Sequence, residues 1–271
     1  MQIAIRHATH YRFDQPPAHG LQRLRLRPKS THGQTVLGWT TQVDGASVEL
    51  EYDDHNQNHT QLIALNPGVH EVAIICEGVV ETSETAGIIG RHAGFMPLWA
   101  FAQPTALTRP GPRLRALAAA LRGADMGDVG TLHQLSALVL AAIAYQIGET
   151  SSDTTAEQAL ARGAGVCQDH AHIFIAAARL LGVPARYVSG YLLMDGQIEQ
   201  QAGHAWAEAH VPGLGWVGFD VSNAISPDRR YVRVATGVDY RDAAPVTGIS
   251  LGAGQADLSV QLAVQQQVQE Q

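Results

Sequence analysis

The chain has 271 residues, of which 45% are hydrophobic and 16% charged, and its formal net charge is -7. That balance excludes a disordered chain and gives an electrostatic nucleic-acid role no footing. The length suffices for one large domain or two modest ones.

The opening residues, Met1-Gln2-Ile3-Ala4-Ile5-Arg6-His7, lack the basic-then-apolar layout of a signal peptide. From Ile3 a two-residue period sets in: Ile3, Ile5, His7, Thr9, Tyr11 and Phe13 alternate with Ala4, Arg6, Ala8, His10 and Arg12. This is the signature of a strand with two unlike faces. Leu24 and Leu26 alternate with Arg23, Arg25 and Arg27 until Pro28 stops the ladder. Further strands are predicted at residues 36–43, 47–52, 61–65 and 71–82, with a turn over the polar stretch 53–58. Cys76, inside the last of these strands, reads as a small core residue. Several short strands divided by turn signals predict a β-sandwich-like or compact-barrel domain over residues 1–100.

Pro97, Pro104, Pro110, Gly111 and Pro112 form a connector, and a domain boundary is expected inside it. Beyond it the period becomes helical. Residues 113–121 carry Leu114, Leu117 and Leu121 on one stripe, and residues 131–147 carry Leu132, Leu135, Leu138, Val139, Ala142 and Ile143. The second stretch is interrupted by His133, Gln134 and Ser136 and is too short to span a bilayer. A short helix over 156–161 follows Thr154 and Glu157 at capping-box spacing. The next helix starts near Cys167, runs through Ile173, Phe174, Ala177 and Leu180, and is ended by Gly182 and Pro184. The period then returns to two. Strands are predicted at 186–193, 204–211 and 216–221, with turns at Asp195-Gly196 and Pro212-Gly213-Leu214-Gly215, and further strands at 231–234 and 258–264. The polar tail 265–271 is expected to fray. The predicted class is α+β: a β-rich domain over 1–100, then a second unit over 101–264 in which a helix packs on an antiparallel sheet.

Three polar residues in this second unit carry the chemistry. Cys167 follows the turn Gly163-Ala164-Gly165-Val166 and opens a helix, where free backbone N–H groups and the positive end of the dipole favour a thiolate. The Cys167 amide is also placed to donate to a developing oxyanion. His204 lies on a strand where His204, Trp206, Glu208 and His210 share one face and Ala205, Ala207 and Ala209 share the other, small enough for the Cys167 helix to approach. Asp220 ends the next strand, and a hairpin through residues 212–215 returns it beside His204, given a bulge or stagger. A thiol, an imidazole and a carboxylate in that relation are the parts of a nucleophilic acyl-transfer site.

Other readings of the same residues are weaker. Cys167, Asp169, His170 and His172 would lie at about 0, 200, 300 and 140 degrees round a helix, so they scatter and do not converge on one metal ion. No metal or cofactor is expected. Asp169, His170 and His172 are expected to flank the site or to bond at the helix end, and Trp206 and Trp216 to wall a substrate cleft or to serve the core. Two cysteines are not a disulfide framework and fit a reducing compartment, although a bridge between Cys76 and Cys167 stays open. Lys29 is the one lysine in the chain, so it offers almost no amine of its own as acyl acceptor. The expectation is a cytoplasmic protein acting on a peptide or protein substrate, without nucleic-acid or membrane partners and with its oligomeric state open.

Four stretches together resemble the bacterial transglutaminase-like superfamily, whose members share a papain-like Cys-His-Asp core: Gly165-Val166-Cys167-Gln168-Asp169-His170-Ala171-His172, Leu181-Gly182-Val183-Pro184-Ala185-Arg186-Tyr187-Val188-Ser189-Gly190-Tyr191, Gly203-His204-Ala205-Trp206-Ala207-Glu208 and Gly218-Phe219-Asp220. The segments Ile5-Arg6-His7-Ala8-Thr9-His10-Tyr11 and Leu24-Arg25-Leu26-Arg27-Pro28 are similar to the β-rich domain that precedes this core in one bacterial subfamily, and residues 234–242 are similar to its C-terminal part. The resemblance implies Cys167 as nucleophile, His204 as its base or ion-pair partner, and Asp220 as the residue that orients the ring. It implies a thioester formed from a peptide or glutamine amide, resolved by water in a peptidase or deamidase and by an amine in a cross-linking transglutaminase. Two departures bear on that choice. Val221-Ser222-Asn223 stands where Pro-Thr-Asn is the commoner family wording, and the tryptophan that cross-linking relatives place upstream has no match closer than Trp99. Hydrolysis is therefore the leading expectation, with amine transfer or a non-catalytic scaffold as alternatives, and calcium dependence is not implied.

Overall fold

Alternation of residue character builds the N-terminal half of this computed structural model, which describes residues 1–252 and 254–267. Strand β1 (Gln2–Phe13) buries Ile3, Ile5, His7, Thr9 and Phe13 and leaves Arg6, His10 and Arg12 in solvent. After β2 (His19–Leu24) come β3 (Gln34–Asp44), β4 (Ala46–Asp53), β5 (His59–Leu65) and β6 (Glu71–Thr82). The expected turn at 53–58 is held by Asp54, which accepts from the backbone N–H groups of Asn56 and Asn58 at 2.9 Å each. Asp54 also receives the Arg25 guanidinium at 3.0 Å, both side chains being buried.

The second half begins with a short strand, β7 (Ile88–Gly90), followed by α1 (Pro112–Ala119) and α2 (Val129–Ala142). Asp128 caps α2 by accepting from the N–H of Thr131. Helix α2 stops five residues before the expected end. The chain turns extended at Ile143, and β8 (Ala144–Tyr145) pairs in parallel with β9 (Ala164–Gly165), through Ala144 N–H to Gly163 O and Gln146 N–H to Gly165 O. The apolar stripe that suggested a longer helix reports which side is buried, whatever the backbone does. Helix α3 (Ala156–Arg162) has its capping box one residue along from the expected place, between Thr155 and Gln158. Glu157 instead accepts from the N–H groups of Arg113 and Leu114 and so caps α1.

Helix α4 (Cys167–Leu180) is the centre of the second half. After it come β10 (Ala185–Leu192), β11 (Glu199–Gln200), β12 (His204–Val211), β13 (Gly215–Phe219), β14 (Tyr231–Gly237), α5 (Tyr240–Ala243), β15 (Val246–Leu251) and β16 (Ala256–Gln266). The order β14-β10-β12-β13-β7 makes an antiparallel five-stranded sheet. Ala205, Ala207 and Ala209 of β12 join Ile173, Phe174 and Ala177 of α4 in one buried core, with Leu114, Leu132, Leu135 and Val139 closing it from α1 and α2. The fold is α+β. Among the described residues no helix is long and apolar enough to cross a membrane.

The division into units at residue 101 needs correction. Strand β16 pairs with β1 from Ile3 opposite Gln266 to Phe13 opposite Ala256, and β15 pairs with β2. The C-terminal strands therefore complete the two N-terminal sheets, ordered β11-β16-β1-β6-β3 and β15-β2-β5-β4, while β7 from the first hundred residues edges the sheet on which α4 packs. Gln265 and Gln266 of the expected frayed tail are ladder residues; residues 268–271 lie outside the described residues. Residue alternation marks a strand, but its partner is chosen by hydrogen bonding between segments far apart in the chain.

One face of β1 serves two cores in succession. Ile3 and Ile5 pack with Tyr191, Val232 and Val234 of the β14-β10-β12-β13-β7 sheet, whereas Phe13 packs with Leu24 and Ile63 of the other N-terminal sheet, with Tyr11 against that second core. His7 and Thr9 lie between the two cores, at the junction.

Candidate active site

Local rules place Cys167. Gly163 ends α3 in the left-handed conformation, with φ at +70°, which a glycine adopts without strain. Gly165 lies against the first turn of α4, where a Cβ would stand 2.7 Å from the Cβ of Asp169. Asp169 turns back to accept from the Val166 N–H at 2.8 Å and from the Thr150 hydroxyl at 2.6 Å. This brace fixes the helix start, leaving the Cys167 amide in the first turn, where no intrahelical acceptor exists. Cys167 is half-buried and its thiol is free.

His204 opens β12 opposite Gly190 of β10. In the β12–β13 ladder Ala207 faces Phe219, so the next residue, Asp220, falls opposite Trp206 and two residues short of His204. The gap is closed diagonally on one face of the sheet, by stagger and without a bulge in that ladder. Asp220 Oδ2 meets His204 Nε2 at 2.5 Å. The Asn223 side-chain amide and the Tyr231 hydroxyl each donate to the same oxygen at 2.7 Å. With Nε2 held by Asp220, Nδ1 is the ring nitrogen left for the sulfur.

The electrostatics follow from these contacts. Burial works against a charged His204, but the Asp220 hydrogen bond and the adjacent Cys167 outweigh it and push the ring up to about 10. Burial likewise works against a charged Asp220, and the hydrogen bonds from His204, Asn223 and Tyr231 hold its carboxyl below the ordinary range. At neutral pH the arrangement is a protonated ring beside an ionised carboxylate. A cavity of about 300 Å³ reaches Cys167 and His204 from the N-terminal sheets, and an open cleft reaches them from the side of Tyr145, Ile147 and Met194.

With that geometry in hand, the sequence comparisons are specific. Residues 115–221 match the transglutaminase-like superfamily, and residues 3–81 match the bacterial transglutaminase-like N-terminal region. By these matches residues 115–221 are a transglutaminase-like core and residues 3–81 the N-terminal region that goes with it in bacteria. It is similar to an uncharacterized protein of Mycobacterium leprae, 29% identical over 96% of each chain. An uncharacterized protein of Mycobacterium tuberculosis is 26% identical over 90% of this chain and 86% of its own. Among solved structures, a "putative cysteine protease" from Cytophaga hutchinsonii superimposes with a TM-score of 0.74 at 21% identity, covering 99% of this chain and 92% of that one. At that identity the likeness is one of fold.

Within the transglutaminase-like core Cys167, His204 and Asp220 come together, whereas Trp206, Trp216 and Asp169 do not line the cavity. Trp206 is buried and stacks on His204 with ring centroids 6.2 Å apart. Trp216 is sealed away under the Arg186 guanidinium, which lies 3.9 Å from its ring, and donates to His92 Nδ1. Asp169 is spent on the helix brace. His170 and His172 bond to separate backbone groups, Val166 O and the Tyr240 N–H. Trp99 is 67% exposed and lines neither opening to Cys167. Sequence reasoning missed Tyr231, which no spacing rule ties to Asp220. Asn223 had a signal, since it is the member of the family's Pro-Thr-Asn wording that this chain keeps, and it holds the Asp220 carboxylate.

Proposed function

We propose that the protein is a thiol hydrolase acting on peptide or amide bonds through Cys167, His204 and Asp220. The observation that carries this reading is Asp220, buried with three donors on one oxygen, holding His204 protonated beside Cys167. In the proposed cycle the Cys167 thiolate attacks the substrate carbonyl carbon, and the Cys167 N–H at the helix start donates to the oxyanion. The C–N bond breaks as His204 gives its proton to the leaving amine, and a thioester remains. Water, deprotonated by His204, then attacks the thioester, releasing the acid and restoring the thiol. Asp220 keeps the ring oriented throughout and stays ionised.

A pulse of iodoacetamide at neutral pH, read by peptide mass spectrometry, tests the reading. Cys167 is expected to alkylate faster than a free thiol while Cys76, whose thiol burial pushes up to about 11, stays unmodified. Alkylation of Cys167 no faster than a free thiol overturns it. The Cys167→Ala variant is expected to fold and to lose turnover on peptide libraries. Retention of a dansyl amine on an acyl donor would assign amine transfer instead of hydrolysis.

A further inference from the structure

The cavity on the N-terminal side of Cys167 is built by both halves of the chain. His7, Thr9 and Tyr11 of β1 form one wall, at the stretch where the β1 face passes from one core to the edge of the next. Leu258 and Val260 of β16 extend that wall, and Tyr187, Ser189 and Tyr191 of β10 face it. The wall's histidine is committed: His7 shares hydrogen bonds with the Tyr191 hydroxyl at 2.9 Å and with the Thr9 hydroxyl at 3.2 Å. Burial pushes His7 down to about 4, so it is neutral at physiological pH. Arg25 also borders the cavity; its Nε donates to buried Asp54, whose carboxylate balances its charge, while its Nη1 has no hydrogen-bond partner. Among the described residues no aspartate or glutamate lines the cavity. A cation entering it would lose water and meet no carboxylate, and an anion would meet only Arg25 and His204, already paired with Asp54 and Asp220, whereas an apolar group would gain contact with aromatic and aliphatic walls.

We infer that this cavity is the acyl-side specificity pocket, that it takes an uncharged aromatic or branched aliphatic side chain, and that the N-terminal β-rich half and not the catalytic sheet alone sets that preference. The inference rests on Cys167 being the nucleophile. It gives the N-terminal sheets a direct part in substrate choice: their strands put His7, Thr9 and Tyr11 into the same cavity as Cys167 and His204.

Peptidyl chloromethyl ketones that differ only in the residue next to the ketone (Leu, Phe, Glu or Lys) test it on the full chain. The sulfur attacks the methylene carbon, chloride leaves, and the adduct on Cys167 is counted by mass spectrometry. Each rate is divided by the iodoacetamide rate of the same protein. The Leu and Phe probes are expected to label at least tenfold faster than the Glu and Lys probes. In Leu258→Glu, a substitution at a side chain 58% exposed, the Lys probe is expected to gain at least fivefold on the Leu probe. In Thr9→Phe, which narrows the pocket, the Phe probe is expected to fall behind the Leu probe. Equal rates for the four probes, a Glu preference set by Arg25, or ratios that neither variant moves would each overturn the pocket while iodoacetamide labelling leaves the nucleophile standing. Loss of iodoacetamide labelling itself overturns both.

Discussion

Asp220→Asn keeps the shape of the side chain and removes its charge, so it isolates what the carboxylate contributes. In the native site Asp220 Oδ2 stands 2.5 Å from His204 Nε2, with Asn223 and Tyr231 donating to the same oxygen at 2.7 Å. A hydrogen bond to a charged group contributes ~1.5–3 kcal/mol. One pKa unit corresponds to ~1.4 kcal/mol, so His204 should drop from about 10 to roughly 8–9. The sign for stability follows. A histidine held protonated by its partners stabilises the fold fully below its ordinary 6.5 and loses that contribution as pH rises through about 10. The native protein should therefore weaken across that window, and the variant should reach its plateau earlier. The His204 Cε1–H resonance, assigned by its loss in His204→Gln, gives the titration directly. Iodoacetamide labelling of Cys167 at pH 7 should slow about tenfold, because the ring loses the carboxylate that holds its tautomer and orientation beside the sulfur. A His204 midpoint that does not move on loss of the carboxylate would refute the argument, and with it the orienting role of Asp220.

Tyr231→Phe removes one of the three donors and leaves the carboxylate in place, so Cys167 labelling should slow only severalfold, consistent with ~1 kcal/mol; a loss as large as that of Asp220→Asn would contradict this. Gly165→Ala places a methyl 2.7 Å from the Asp169 Cβ. The start of α4 must shift, so thermal unfolding should show ~1–3 kcal/mol of destabilisation together with slower alkylation. Glu208 is fully buried between Arg186 and Arg233, whose guanidinium groups approach it to 2.6 and 2.8 Å. Glu208→Gln leaves both cations uncompensated and should cost ~3–5 kcal/mol in urea unfolding at pH 7. Burial alone would raise the Glu208 carboxyl, but the two arginines bring it down to about 2. Its contribution is thus complete above its ordinary 4.5 and vanishes as pH falls through about 2, so the deficit of the variant should shrink over that range.

The sequence by itself determined most of the longer elements and singled out Cys167, His204 and Asp220 as the candidate residues. Alternation from Ile3 to Phe13 defined β1, the glycines before Cys167 defined the start of α4, and the alanines at 205, 207 and 209 defined the face on which that helix lies. These are short-range properties, set by backbone sterics and by the period of apolar residues, and they survive without knowledge of neighbours. Tertiary structure decided everything that depends on which distant segments meet. It paired β16 with β1 and β15 with β2, stopped α2 at Ala142 by strand pairing, and staggered β13 so that Asp220 reaches His204 across a diagonal. It also buried Trp216 under Arg186 instead of in the cleft, and carried His7, Thr9 and Tyr11 into the cavity that holds Cys167. A strand's pattern records that one face is covered but not by what. Hydrogen-bond register between segments some 250 residues apart is settled only when the sheets stack and their faces compete for the same burial.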